Sequence, residues 1–140
     1  MGEARERARV GPVLDARFVS GMKRALEAPI SSPEAQRQLE HAAETLKNAA
    51  LFASKEDVPK LSQWLHRVWA HTLHEPSLEG PGRISRGVWG FESAHQAAVD
   101  GFMTLLRLEK ARPADILAAV KKVAQPAEYR RFNQYILRLR

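Results

Sequence analysis

The residues best suited to chemistry are the cations in the last quarter of the chain. Residues 107–140 contain nine Lys or Arg but only three acids, so they account for the whole formal net charge of +6. Five of the cations lie in two consecutive predicted helices: Lys121, Lys122, Arg130, Arg131 and Arg138. Ammonium and guanidinium groups bind phosphate oxygens and displace counterions. This segregation of charge predicts a surface for a polyanion, with nucleic acid as the first candidate.

The last predicted helix, about 127–140, has two faces. Its larger apolar side chains fall within one arc: Tyr129, Phe132, Ile136 and Leu139. Its polar side chains fall on the opposite side: Arg130, Arg131, Gln134 and Arg138. Helical periodicity therefore predicts that the apolar arc packs on the core while the arginines can follow a phosphate backbone. The alternative is a solvated outer face that binds nothing.

A second group of cations lies in an irregular segment, about 75–90. Its sixteen residues include four Gly and two Pro, which exclude a regular element and predict a long loop. Guanidinium groups and indole rings stack on unpaired bases, and glycines let a backbone approach a phosphate. We expect Arg83 and Arg86 to assist binding, whereas Trp89 is expected to cover the core.

Three histidines, His66, His71 and His74, lie in the third predicted helix. Only His71 and His74 have a spacing that lets two side chains share a helix face, and the one acid nearby, Glu75, follows the predicted helix end. We therefore expect surface histidines near a helix C-terminus and no metal site.

Arg67 and His74 lie two turns apart on one side of the same helix. This pair resembles the site of small helical ribonucleases of the HEPN family, in which an Arg is followed a short distance later by a His. The resemblance covers two residues, and Val68 stands where such sites usually place a polar residue. It implies a ribonuclease that uses Arg67 and His74.

No other pattern points to a reaction. The chain has no Cys, no nucleophile elbow, no phosphate-binding Gly loop before a helix and no close pair of acids in an apolar setting. We therefore expect a protein without catalytic residues or cofactors. No apolar run is long enough for a membrane span, and the N-terminus lacks the apolar stretch of a signal peptide, so we expect a cytoplasmic protein without membrane contact.

Apolar residues recur with helical spacing along the whole chain, and Pro or Gly separates the segments. Six helices are predicted, the third beginning at Ser54 or Asp57 and ending before Glu75: about 12–28, 33–53, 54–74, 91–110, 113–124 and 127–140. We expect an all-α fold, a single domain over residues 1–140 in which five to six helices form an antiparallel bundle. Leu65, Phe102, Leu106 and Phe132 are expected in its core.

These features predict a non-catalytic protein that binds DNA or RNA, with protein partners, as a small subunit of a larger nucleoprotein complex. Small helical subunits of CRISPR effector complexes are similar in class, being compact, basic, Cys-poor and without catalytic residues, although no motif connects them to this chain. A phage- or plasmid-type interaction module that docks on an acidic protein is the alternative from another class. The ribonuclease is the enzymatic alternative.

Overall fold

A computed structural model describes residues 16–28, 32–72 and 92–139, and within these ranges the chain forms six helices and no strand. The helices are α1 (Ala16–Glu27), α2 (Pro33–Phe52), α3 (Val58–His71), α4 (Glu92–Arg107), α5 (Pro113–Lys121) and α6 (Pro126–Arg138). The predicted all-α bundle is confirmed.

Proline occupies one of the first two positions of four helices, where the missing N–H has no intrahelical partner to lose. Ser32 caps α2, because its hydroxyl accepts a hydrogen bond from the Ala35 amide at 3.2 Å. Before α3, the Asp57 carboxylate accepts hydrogen bonds from the amide and the hydroxyl of Ser54, both at 2.9 Å. Ser32 therefore caps α2 through its side chain, whereas Asp57 turns its carboxylate back to Ser54 and makes no cap hydrogen bond to α3.

The helices share one hydrophobic core. α2 packs along α4, α3 contacts both α4 and α5, α1 rests on α2, and α6 rests on α5. The largest side chains with almost no exposed surface come from α1, α2, α3, α4, α5 and α6: Met22, Leu39, Leu46, Leu61, Leu65, Trp69, Phe102, Leu105, Ile116, Phe132 and Ile136. Alanines, including Ala43, Ala50 and Ala98, fill the remaining α2 and α4 core positions and permit close approach of these helices.

Three details differ from the sequence-based expectation. α3 ends at His71, and α5 ends at Lys121 because the carbonyl of Val120 accepts from the amides of Val123 and Ala124 in a tight turn. This turn leaves Val123 about half exposed. Leu106 is only partly buried, whereas Leu105, one position earlier, is fully buried.

Candidate nucleic-acid interface

The α5–α6 segment is attached to the bundle by the inner side of α6. Phe132, Tyr135 and Ile136 are buried. The Phe132 ring centroid lies 5.0 Å from that of His66 and 5.1 Å from that of Phe102, so it joins α6 to α3 and α4. The apolar arc predicted for the last helix does not include Tyr135, yet the ring centroid of Tyr135 lies 4.8 Å from that of Trp69. The hydroxyl makes Tyr135 look polar in the sequence, but its ring packs among aromatic side chains.

All five predicted cations of this segment lie on the surface. Lys121 is the last residue of α5 and Lys122 follows it, while Arg130, Arg131 and Arg138 project from α6. Because a helix rises about 1.5 Å per residue, Arg130 and Arg138 are separated by about 12 Å along the axis of α6. The exposure of these side chains agrees with the polar side predicted from the sequence, and their role in binding stays a prediction.

The electrostatic surroundings of these cations are unbalanced. Among the described residues one ion pair is present, Lys47 with Glu44 at 3.0 Å on α2. Lys121, Lys122, Arg130 and Arg131 make no ion pair within those residues. The Lys121 ammonium lies 5.8 Å from the ring centroid of Tyr129, a cation–π contact that leaves its charge uncompensated. Glu128 is the only acid of α6.

The predicted auxiliary cations cannot be placed. Arg83, Arg86 and Trp89, with the whole of the predicted 75–90 loop, lie outside the described residues.

The histidines of α3 and α4 belong to the core. His66 and His95 are almost fully buried on either side of Trp69, with ring centroids 6.0 Å and 6.4 Å from the indole. Burial lowers the pKa of both imidazoles to about 4, and for His66 the neighbouring Arg67 charge adds to this effect. Nδ1 of His95 lies 2.9 Å from the Thr72 hydroxyl, which donates to the Val68 carbonyl.

Burial therefore keeps both imidazole rings neutral among aromatic side chains. No three His, Asp or Glu side chains of the described ranges converge on a point where they could hold a metal ion. His71 is half-buried rather than fully on the surface, and burial lowers its pKa as well. His74 lies outside the described residues.

For the ribonuclease alternative, the structure describes Arg67 but not His74. Arg67 is exposed, and its guanidinium lies 5.1 Å from the ring centroid of Trp64. Its proposed partner, His74, is not among the described residues, so the Arg67–His74 pair stays a prediction from the sequence.

The fold and surface define an all-α bundle with an exposed cationic segment. The chain matches no protein-family model, and no curated protein or solved structure shows significant similarity to it. In the part of the chain that the structure describes, no helix is both long enough and apolar enough to cross a membrane.

Proposed function

We propose that this protein binds nucleic acid without catalysing a reaction, through a basic face formed by Lys121, Lys122, Arg130, Arg131 and Arg138. In this proposal the protein acts in the cytoplasm as a small subunit of a larger nucleoprotein complex. The side chains contact phosphates rather than base edges, so binding depends weakly on sequence. Arg83 and Arg86 are auxiliary contacts in the same proposal.

One observation carries the proposal: the segment that holds all of the net charge exposes Lys121, Lys122, Arg130 and Arg131 at the surface, and these four cations make no ion pair among the described residues. A solvated face that serves only solubility is usually mixed in sign, with acids beside the bases. α6 instead presents three arginines and a single acid. Its apolar side is fixed by Phe132, Tyr135 and Ile136, which holds the arginines in a constant register relative to one another.

Salt-dependent binding of the full chain tests the proposal. Labelled duplex DNA, single-stranded DNA, duplex RNA and single-stranded RNA are titrated at several salt concentrations. We expect the logarithm of the association constant to fall linearly with the logarithm of salt concentration. Simultaneous substitution of Arg130, Arg131 and Arg138 by Ala should reduce that slope by about three units on duplex DNA if each arginine contacts one phosphate.

A matched variant separates this site from a general effect of charge. Substitution of Lys23, Arg24 and Arg37 by Ala removes the same number of exposed charges from α1 and α2 and should lower the slope much less. Both triple variants should keep the parent's far-ultraviolet circular dichroism spectrum, because the substituted side chains lie at the surface. Equal losses in the two variants, or unchanged binding in the first, would contradict the proposal.

A further inference from the structure

The outer side of α3 lies against the cationic end of α5. The Gln63 side chain donates a hydrogen bond from Nε2 to the Ala119 carbonyl at 3.0 Å. Ala119 precedes Lys121, the last residue of α5, by two positions. This contact joins residues 56 positions apart in the chain. The end of α5 that carries Lys121, with Lys122 directly after it, therefore lies beside Gln63 of α3.

Two cations flank Gln63 on that outer side. Lys60 lies one turn before it and Arg67 one turn after it, and both are exposed. Residues seven positions apart in a helix point in nearly the same direction and are about 10 Å apart along its axis. The hydrogen bond to α5 thus lies between two α3 cations that project on the same side of the helix.

Arg67 is held in place rather than extended freely into water. Its guanidinium lies 5.1 Å from the Trp64 ring centroid, and the same indole makes an edge-on contact with Phe18 of α1, with centroids 6.0 Å apart. A guanidinium in a cation–π contact with an aromatic ring still has N–H groups available for a phosphate. Because the side chain is already ordered, less conformational entropy is lost on binding.

Lys60 and Arg67 make no ion pair with the part of the chain that the structure describes. α3 contains no Asp or Glu. Asp57, just before α3, accepts hydrogen bonds from the amide and hydroxyl of Ser54. Asp115, in the first turn of α5, accepts from the Arg112 amide at 3.0 Å, about 9 Å along the helix from Lys121. Asp115 thus lies at the opposite end of α5 from Lys121, whereas Asp57 lies one turn before Lys60 and is engaged by its hydrogen bonds from Ser54.

We propose that Lys60 and Arg67 extend the phosphate-binding surface from α5 and α6 across α3, so that one nucleic-acid backbone contacts all three helices. This inference rests on the proposed function, since it assigns further residues to the same surface. It gives Arg67 a role in binding that does not involve His74. Gln63 holds the two parts of the surface together through its hydrogen bond to α5.

The test uses the full chain and the nucleic acid that the parent protein binds best. Lys60→Gln with Arg67→Gln removes two charges while retaining much of the side-chain volume over Trp64. We expect the salt slope to fall by about two units, with binding weakened for every sequence to a similar extent. The control, Arg24→Gln with Arg37→Gln, removes two exposed charges from α1 and α2 and should leave the slope close to that of the parent. Thermal unfolding of both variants checks that the fold is retained.

The outcomes separate this inference from the proposed function. If the parent binds no nucleic acid, the proposed function fails and this inference fails with it. If the α6 arginine variant loses slope but the Lys60/Arg67 variant does not, the function stands and the extension across α3 is wrong. If the Lys60/Arg67 variant keeps its nucleic-acid slope but loses binding to polyglutamate, α3 serves an acidic protein instead, which also overturns the inference.

Discussion

Gly101 of α4 lies directly against the side chain of Leu65 of α3. A Cβ atom at position 101 would be 2.6 Å from Leu65 Cδ2 and 3.1 Å from Leu65 Cδ1. Leu65 has no exposed surface and cannot move aside into solvent. The glycine therefore sets how closely α3 and α4 approach at this point.

Gly101→Ala should destabilise the protein. Overpacking costs about 1–3 kcal/mol, and the better helix propensity of Ala returns up to about 1 kcal/mol. We expect a net loss of about 1 kcal/mol in the free energy of unfolding, measured by urea denaturation. In a Leu65→Ala background the clash disappears, so the same substitution should become stabilising. A double-mutant cycle without coupling would show that the two side chains do not compete for space.

Gly21 in α1 provides the matched control. A Cβ at that position would meet nothing within 4 Å. Gly21→Ala should therefore stabilise the protein by about 0.5–1 kcal/mol through helix propensity alone. Opposite signs for Gly21→Ala and Gly101→Ala are the expected result.

Leu105 and Leu106 should respond unequally to truncation. Leu105 is fully buried between the helices, whereas Leu106 lies at the edge of the core. Leu105→Ala should cost about 2–5 kcal/mol in the free energy of unfolding, and Leu106→Ala clearly less, because part of the removed surface already contacts water. Urea denaturation of the two variants checks this order, and equal losses would contradict the burial of these neighbours.

The helical order was predictable because its signals are local. Pairs such as Ser32-Pro33 and Gln125-Pro126 mark helix starts without reference to the rest of the fold. The burial of His66 and Tyr135 was not predictable in this way, since it depends on how α6 meets Trp69 and the rings around it. Likewise, the five cations of α5 and α6 could be identified from the sequence. That α3 lies beside the end of α5 could not, because the hydrogen bond from Gln63 to Ala119 joins residues 56 positions apart.

Glu109 adopts a backbone conformation that suits glycine. It has φ 56° and follows α4 in a Schellman turn, in which the Lys110 amide donates to the Leu105 carbonyl and the Glu109 amide to that of Leu106. The turn directs Lys110 Nζ to the carbonyls of Leu51 and Ala53 at the end of α2, at 2.6 Å and 3.0 Å.

Glu109→Gly should raise the free energy of unfolding by about 1 kcal/mol, because Gly adopts the left-handed region without the Cβ penalty. Glu109→Ala is the control, since it removes the same carboxylate but keeps the Cβ, and it should give little gain. Thermal melting of the two variants distinguishes these effects. An equal gain from both substitutions would show that charge, not backbone strain, sets the stability at this position.

The free energy of unfolding should fall as the pH is lowered from 7 to 5, because of the buried histidines. The pKa of His66 is about 4 in the folded protein and about 6.5 when unfolded, so only the unfolded state gains a proton in this interval. The stabilisation is fully present above pH 6.5 and is lost progressively down to about pH 4. For one such histidine the loss between pH 7 and pH 5 is on the order of 2 kcal/mol. Burial also lowers the pKa of His95, so protonation of this residue in the unfolded state lowers the stability on acidification as well.

His66→Phe should make the stability less dependent on pH in this interval, because the aromatic ring is kept and the titrating group is removed. Urea denaturation of the parent and the variant at pH 7 and pH 5 measures the difference. The rings that contact His66 are those of Trp69 and Phe132, and the charged group that acts on it is Arg67 of its own helix. His95 stays in place in the variant and should retain its own share of the pH dependence. If parent and variant lose equal stability on acidification, His66 is not buried in its neutral form, and the packing of Phe132 against it is not as described.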